Sequence, residues 1–244
     1  MSSSPAIAAD GLTKRYGSTA AVDGLDLSIP RGSVYGFLGP NGAGKTTTMR
    51  LLTTLTRPTE GTASVCGDPV TDREAVIEHV GYLPEVPPVY DELTAREGLR
   101  YVADLRRLGD IDERIDSYLD RFGLADDADR RIGTYSKGMR QKTALIATIL
   151  HDPDVVFLDE PTSGLDPRAA RTVRDLISDL ADEDVTVFLS THILPVVEEL
   201  ADTVGVLSEG RLLAEGSPES LRQRVEGGEG SLEDAFLDIT DGWE

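Results

Sequence analysis

The stretch Gly39-Pro40-Asn41-Gly42-Ala43-Gly44-Lys45-Thr46, followed by Thr47, has the spacing Gly-x-x-x-x-Gly-Lys-Ser/Thr. Glycines there let successive backbone N–H groups wrap a phosphate chain without Cβ clashes, and the helix expected to start at Lys45 adds its positive dipole end. Lys45 is placed to reach the β- and γ-phosphates of a nucleotide, and the Thr46 hydroxyl to ligate Mg²⁺. A second chemical pair, Asp159-Glu160, closes the apolar run "VVFL". Carboxylates at the end of a buried strand sit beside the loop where such sheets bind ligands. Asp159 suits holding Mg²⁺ through water, and Glu160 suits general-base work on an attacking water. His192 follows another apolar run, "VTVFLST", which would set its imidazole beside the γ-phosphate; His79 and His151 follow no such strand end and read as structural. Nothing in the chain groups Cys and His as a zinc motif does.

These residues need a framework that brings strand ends together. Residues 5–10 and 25–38 alternate apolar and polar, with a turn at "IPRG" (29–32), and predict a small antiparallel sheet. "VYGFLG" (34–39) is a short buried strand entering the glycine loop, followed by a helix to about Leu55. "GTASVCG" (61–67), "VGYLP" (80–84), "DVVFLDEP" (154–161) and "VTVFLST" (185–191) read as further strands. Between residues 86 and 150 the character turns helical, with a capping box from Thr94 to Glu97. There "YSKGMRQK" (135–142) sets turn residues ahead of the apolar run "TALIATIL", a second helix N-terminus in addition to the glycine loop. Asp166-Pro167 and Ser217-Pro218 read as helix starts, Glu209-Gly210 as a hairpin turn, and "EGGEG" (226–230) as a flexible hinge before a last amphipathic helix.

The expected architecture is α/β: a phosphate-loop core with a mostly parallel sheet (residues 1–85 and 151–225), carrying an N-terminal antiparallel β subdomain. A helical subdomain (86–150) is inserted in it, and 226–244 form the hinge and C-terminal helix. Hydrophobic residues make up 39% of the 244, enough for one large core. No apolar run approaches the roughly 18 residues of a membrane span, and the N-terminus lacks the features of a secretory signal. Cys66 is the single cysteine, which excludes an internal disulfide and suits a reducing cytoplasm.

Asp and Glu total 44 against 24 Lys and Arg, a net charge of −20, and only four lysines occur. Such a surface repels nucleic acid, which is excluded as a partner. Scarce lysine with abundant aspartate resembles proteins of salt-accumulating cells.

Taken in order, these motifs resemble the ATP-binding cassette (ABC) family over nearly the whole chain. "YSKGMRQ" is similar to that family's signature sequence, retaining Ser136 and Gly138 while Lys137 and Met139 replace its first glycine and its glutamine. The resemblance implies that Tyr16 stacks on adenine and that Glu85, where the family usually has Gln, contacts Mg²⁺ or water. It also implies that "PTSGLD" through Asp166 is a dimer contact and that His192 is the switch histidine. The implied partners are a second cassette, the same chain or a different one, and a separate transmembrane permease. Two cassettes would face head to tail, with Ser136 and Gly138 gripping the γ-phosphate of ATP bound to the other chain. The departures at Lys137, Met139 and Glu85, with "SLEDAFLDIT", are similar to the branch that exports drugs and sodium. The expected activity is ATP hydrolysis coupled to transport, at the cytoplasmic face of the membrane. The alternative is a non-transport ABC ATPase acting on ribosomes or nucleic acid.

The charge makes its own prediction. Screening shortens from about 10 Å at 0.1 M salt to about 3 Å at 1 M, which relieves self-repulsion. Thermal melts in a KCl series are expected to rise toward molar salt; a flat or falling series contradicts salt adaptation.

Overall fold

In the computed structural model, residues 4–223 and 230–241 are described. Strands β1 (Ile7–Tyr16) and β2 (Thr19–Ile29) form a hairpin, and β3 (Val34–Leu38) leads through the glycine loop into α1 (Lys45–Leu52). Then come β4 (Glu60–Val65), β5 (Asp68–Pro69), α2 (Arg73–His79) and β6 (Val80–Leu83). Helices α3 (Ala95–Leu105), α4 (Asp112–Arg121) and α5 (Lys137–Ile149) fill the interval before β7 (Val155–Asp159). The chain continues as α6 (Pro167–Asp182), β8 (Thr186–Ser190), α7 (Leu194–Leu200), β9 (Thr203–Ser208) and β10 (Arg211–Gly216). It ends in α8 (Pro218–Arg222) and α9 (Leu232–Asp241).

Two sheets result. One has the order β2-β1-β4-β5 and is antiparallel; the other has the order β10-β9-β3-β8-β7-β6, parallel except for β10 at its edge. The 25–38 run is divided at the expected turn: Thr19–Ile29 stays in the antiparallel sheet, while Val34–Leu38, whose alternation groups it there as well, enters the parallel sheet as the buried strand before the glycine loop. Every residue of β3, β7 and β8 is buried, which explains why these strands read as continuous apolar runs rather than alternating ones.

Alternation still decides which layer each side chain joins. Val155, Phe157 and Phe188 join Tyr35 and Phe37 in the core shared with the antiparallel sheet, where the Phe37, Phe157 and Tyr35 rings lie 5.0–5.4 Å from Phe188. Val156, Leu158, Val187 and Leu189 face the opposite layer, with Leu99, Leu145 and Ile177 of α3, α5 and α6. The glycine-loop helix and the helical interval are thereby fixed to opposite faces of one sheet.

Local signals place the helix starts. Thr94 and Glu97 form the reciprocal capping box, Ser136 caps α5, and Asp166 caps α6 ahead of Pro167. Glu209 and Gly210 both have positive φ, as the β9–β10 turn requires. Helix α1 stops at Leu52, short of Leu55, because Thr54 turns to a φ of 62°. Of the hinge expected at 226–230, only Gly230 lies within the described residues.

Candidate functional site

Parallel pairing brings the carboxyl ends of β3, β6, β7 and β8 to one edge: Phe37 is level with Ser190, Asp159 with Ser190, and Leu83 with Leu158. One residue or two beyond those ends lie Gly39, Glu85, Glu160 and His192. Glu85, Glu160 and His192 line an open cleft of about 360 Å³, and Gly39 leads into the loop beneath it.

The floor of the cleft is the glycine loop. Gly44 has a φ of +108°, and a Cβ there would sit 2.3 Å from the Ala21 carbonyl oxygen. At Gly39 it would sit 2.4 Å from the Leu207 carbonyl oxygen, so both positions are held against neighbouring backbone. The β9–β10 turn straps the loop, the Gly210 N–H donating to the Ala43 carbonyl at 2.8 Å. Asn41, Gly42, Gly44, Thr46 and Thr47 line the cleft, while buried Ala43 supports it and Pro40 lies just outside. Lys45 is only 7% exposed and donates from Nζ to the carbonyls of Gly39 (2.6 Å) and Pro40 (3.2 Å). Burial pulls its pKa down, against the carboxylates of Glu160, Asp159 and Glu85, which favour the charged amine.

The wall is acidic. The Thr46 hydroxyl donates to Asp159 Oδ2 at 2.9 Å, joining α1 to β7. Glu160 is 9% exposed and holds a φ of +50°, a conformation costly for a residue with a side chain. Its own N–H donates to the Ser190 carbonyl at 2.9 Å, which fixes the strained turn to β8. Its carboxylate is held twice, Oε1 by His192 Nδ1 at 2.9 Å and Oε2 by the Thr191 hydroxyl at 3.2 Å. An ionised carboxylate only accepts, so the ring carries its proton on Nδ1. Glu85 is exposed at the rim.

The remaining expected residues stand apart. Tyr16 is 52% exposed near the β1–β2 turn, with Lys14 Nζ 5.1 Å from its ring centroid, and does not line the cleft. Ser136 and Gly138 do not line it either. The Ser136 hydroxyl accepts from the Met139 N–H, and Lys137 Nζ donates to the Ser163 carbonyl at 2.7 Å. Gly138 is pressed against α6, where a Cβ would meet Ala169 at 2.8 Å. His151, half-buried against the Val80 carbonyl, has its pKa pushed down to about 4 by burial and by Arg106.

Sequence reasoning passed over Thr191. It is fully buried, and its hydroxyl also accepts from the Ile193 N–H at 3.1 Å. The available signal was a hydroxyl residue between the strand end and His192.

This fold and this cleft define a phosphate-loop nucleotide-binding domain. The ABC transporter family model matches residues 22–163. The daunorubicin/doxorubicin resistance ATP-binding protein DrrA of Streptomyces peucetius is 44% identical over 223 residues, 90% of this chain and 68% of that protein. The bacitracin transport ATP-binding protein BcrA of Bacillus licheniformis is 41% identical over 215 residues, 87% of this chain and 71% of that one. A solved ATP-binding subunit of an ABC transporter superposes with a TM-score of 0.88 at 29% identity, covering 96% of this chain and 98% of the other. The chain belongs to the ABC transporter family, and it is an ATPase of that family.

Removing the Thr191 hydroxyl at constant shape frees one oxygen of Glu160. The Thr191→Val variant is expected to lose about tenfold in ATPase kcat, equivalent to about 1.4 kcal/mol, with little change in KM for ATP. Thr191→Ser is expected to keep most activity. Equal losses in both variants, or a loss confined to KM, would contradict this positioning role.

Proposed function

We propose that the chain hydrolyses ATP to power export, through a separate membrane permease, and that two cassettes clasp ATP head to tail. The observation that carries the reading is the pairing of a complete phosphate-loop cleft with a capped α5 N-terminus whose Ser136 and Gly138 do not line that cleft. A second chain, identical or not, supplies them to the exposed γ-phosphate. Its α5 dipole and the Gly138 N–H then add to Lys45 and His192 from the open side of the cleft.

Within one chain, the loop amides from Gly42 to Thr47 bind the phosphates, and Lys45 exchanges the Gly39 and Pro40 carbonyls for phosphate oxygens. Tyr16 offers its exposed ring to adenine. The oxygen donors of Thr46, Asp159 and Glu85 fit a hard dication, and the 2.9 Å contact between Thr46 and Asp159 shows two of them converging. Thr46, Asp159 and Glu85 would hold Mg²⁺, which would supply neutralising charge to the phosphates. Glu160 takes the proton of the attacking water, with Thr191 and His192 orienting its carboxylate. The Gly138 position admits no side chain against Ala169, so packing and phosphate access demand the same residue.

Several observations support the membrane assignment. The relatives named above are resistance and transport ATP-binding proteins, and among the described residues no helix is long and apolar enough to cross a membrane. The names of these relatives support a place at the cytoplasmic face beside a permease. A role on ribosomes or nucleic acid is disfavoured by the net charge of −20.

Two inactive variants test the head-to-tail arrangement. Lys45→Ala removes the phosphate ligand in one chain, and Ser136→Arg blocks what that chain offers its partner. A heterodimer of the two has one site with both lesions and one with neither, so mixing is expected to restore part of the ATPase activity. A covalently linked heterodimer that stays as inactive as either parent would contradict the reading, provided that a linked dimer with one wild-type chain is active.

A further inference from the structure

A second group of ligating side chains lies at the other edge of the parallel sheet. The β6–β7 register pairs Val80 with Val155, which sets the preceding residues, His79 and Asp154, side by side. Asp154 and Asp159 are five residue steps apart along β7, about 17 Å of strand, so this is not the nucleotide cleft. Cys66 joins the pair from the β4–β5 turn, where its φ of +54° turns the chain back toward the sheet. One ligating atom from each of Cys66, His79 and Asp154 lies within 4.8 Å of the other two.

We propose that Cys66, His79 and Asp154 form a zinc-type divalent metal site, with water in the fourth position, that clips the antiparallel sheet to the parallel one. A thiolate, an imidazole and a carboxylate make a donor set suited to Zn²⁺ or Co²⁺ and poorly suited to Mg²⁺. Metal–ligand bonds of about 2.0–2.3 Å set tetrahedral donors about 3.3–3.8 Å apart, so the Nδ1–Oδ2 pair, 2.6 Å apart, must open while separations near 4.8 Å close by about 1 Å. Asp68 Oδ2 lies 3.2 Å from Nε2, an acceptor beside the ring nitrogen that would carry the proton in a metal-bound tautomer, while Nδ1 points at Asp154 Oδ2, 2.6 Å away. A cation seated among Nδ1, the Asp154 carboxylate and Cys66 Sγ takes the Nδ1 lone pair of the Nε2–H tautomer and releases the thiol proton to solvent. Asp154 is half exposed, which leaves a path for exchange.

Cobalt substitution tests this directly, because Cys66 is the chain's only thiol. Titrating metal-free purified chain with Co²⁺ is expected to give a thiolate-to-cobalt charge-transfer band that saturates at one ion per chain and is bleached by Zn²⁺. Cys66→Ser, His79→Gln and Asp154→Asn should each abolish or strongly weaken the band. Asp68→Asn should lower affinity roughly 10- to 100-fold, and Asp159→Asn, in the nucleotide cleft, should leave the band unchanged. The proposal is overturned by a wild-type chain with no charge-transfer band, by a band that survives in His79→Gln and Asp154→Asn, or by saturation at one cobalt per two chains. The wild-type titration is decisive even where a variant fails to fold.

Discussion

The buried ammonium of Lys45 and its partners govern the rest of the site. In a chain of net charge −20, a polyanion finds few positive groups, and this one is turned inward onto two carbonyls of its own loop. Three carboxylates, Glu160, Asp159 and Glu85, favour its charged form while burial opposes it. Such an amine is ready to exchange neutral carbonyls for phosphate oxygens, and the backbone amides beside it need no net charge to do their part. The acidity of the rest of the surface is therefore compatible with nucleotide binding because the attraction is confined to one loop.

Strand order converts that loop into a reaction site. With β3 beside β8 and β8 beside β7, the loop, the Asp159-Glu160 turn and the Thr191-His192 turn lie at one sheet edge. Glu160 is anchored through its backbone to Ser190 and through its side chain to Thr191 and His192, so its strained φ is supported from an adjacent strand. On the other face of the sheet, α5 is packed against α6 at Gly138 and Ala169, and its capped N-terminus lies outside the cleft. In the proposed dimer this separation is functional: hydrolysis removes charge from a site assembled by two chains, and a bond cleavage becomes a relative motion.

Much of this was legible in the sequence because it is local. The glycine loop, the Thr94–Glu97 box, the Asp166-Pro167 start and the Glu209-Gly210 turn each declare themselves within a few residues. The buried strands were legible as apolar runs. What escaped depends on pairing between distant segments. Alternation groups both halves of the 25–38 run with the antiparallel sheet, although the apolar run 34–39 marks its second half as a buried strand, and α2 was not marked. Thr191 matters only because β8 lies beside β7; His79 and Asp154 meet because β6 pairs with β7, and the β4–β5 turn brings Cys66 to them. That Ser136 stands outside its own cleft is expected from the family resemblance and not from the local spacing of its motif.

The central claim is that ATP is held between two cassettes until Glu160 completes hydrolysis. The most direct measurement is the mass of Glu160→Gln in solution with Mg²⁺ and with or without ATP. The account predicts a monomer without nucleotide and a stable dimer with ATP, while the wild type returns to monomer as ATP is consumed. A Glu160→Gln chain that binds ATP yet remains monomeric at saturation, or that dimerises equally without it, would contradict the account.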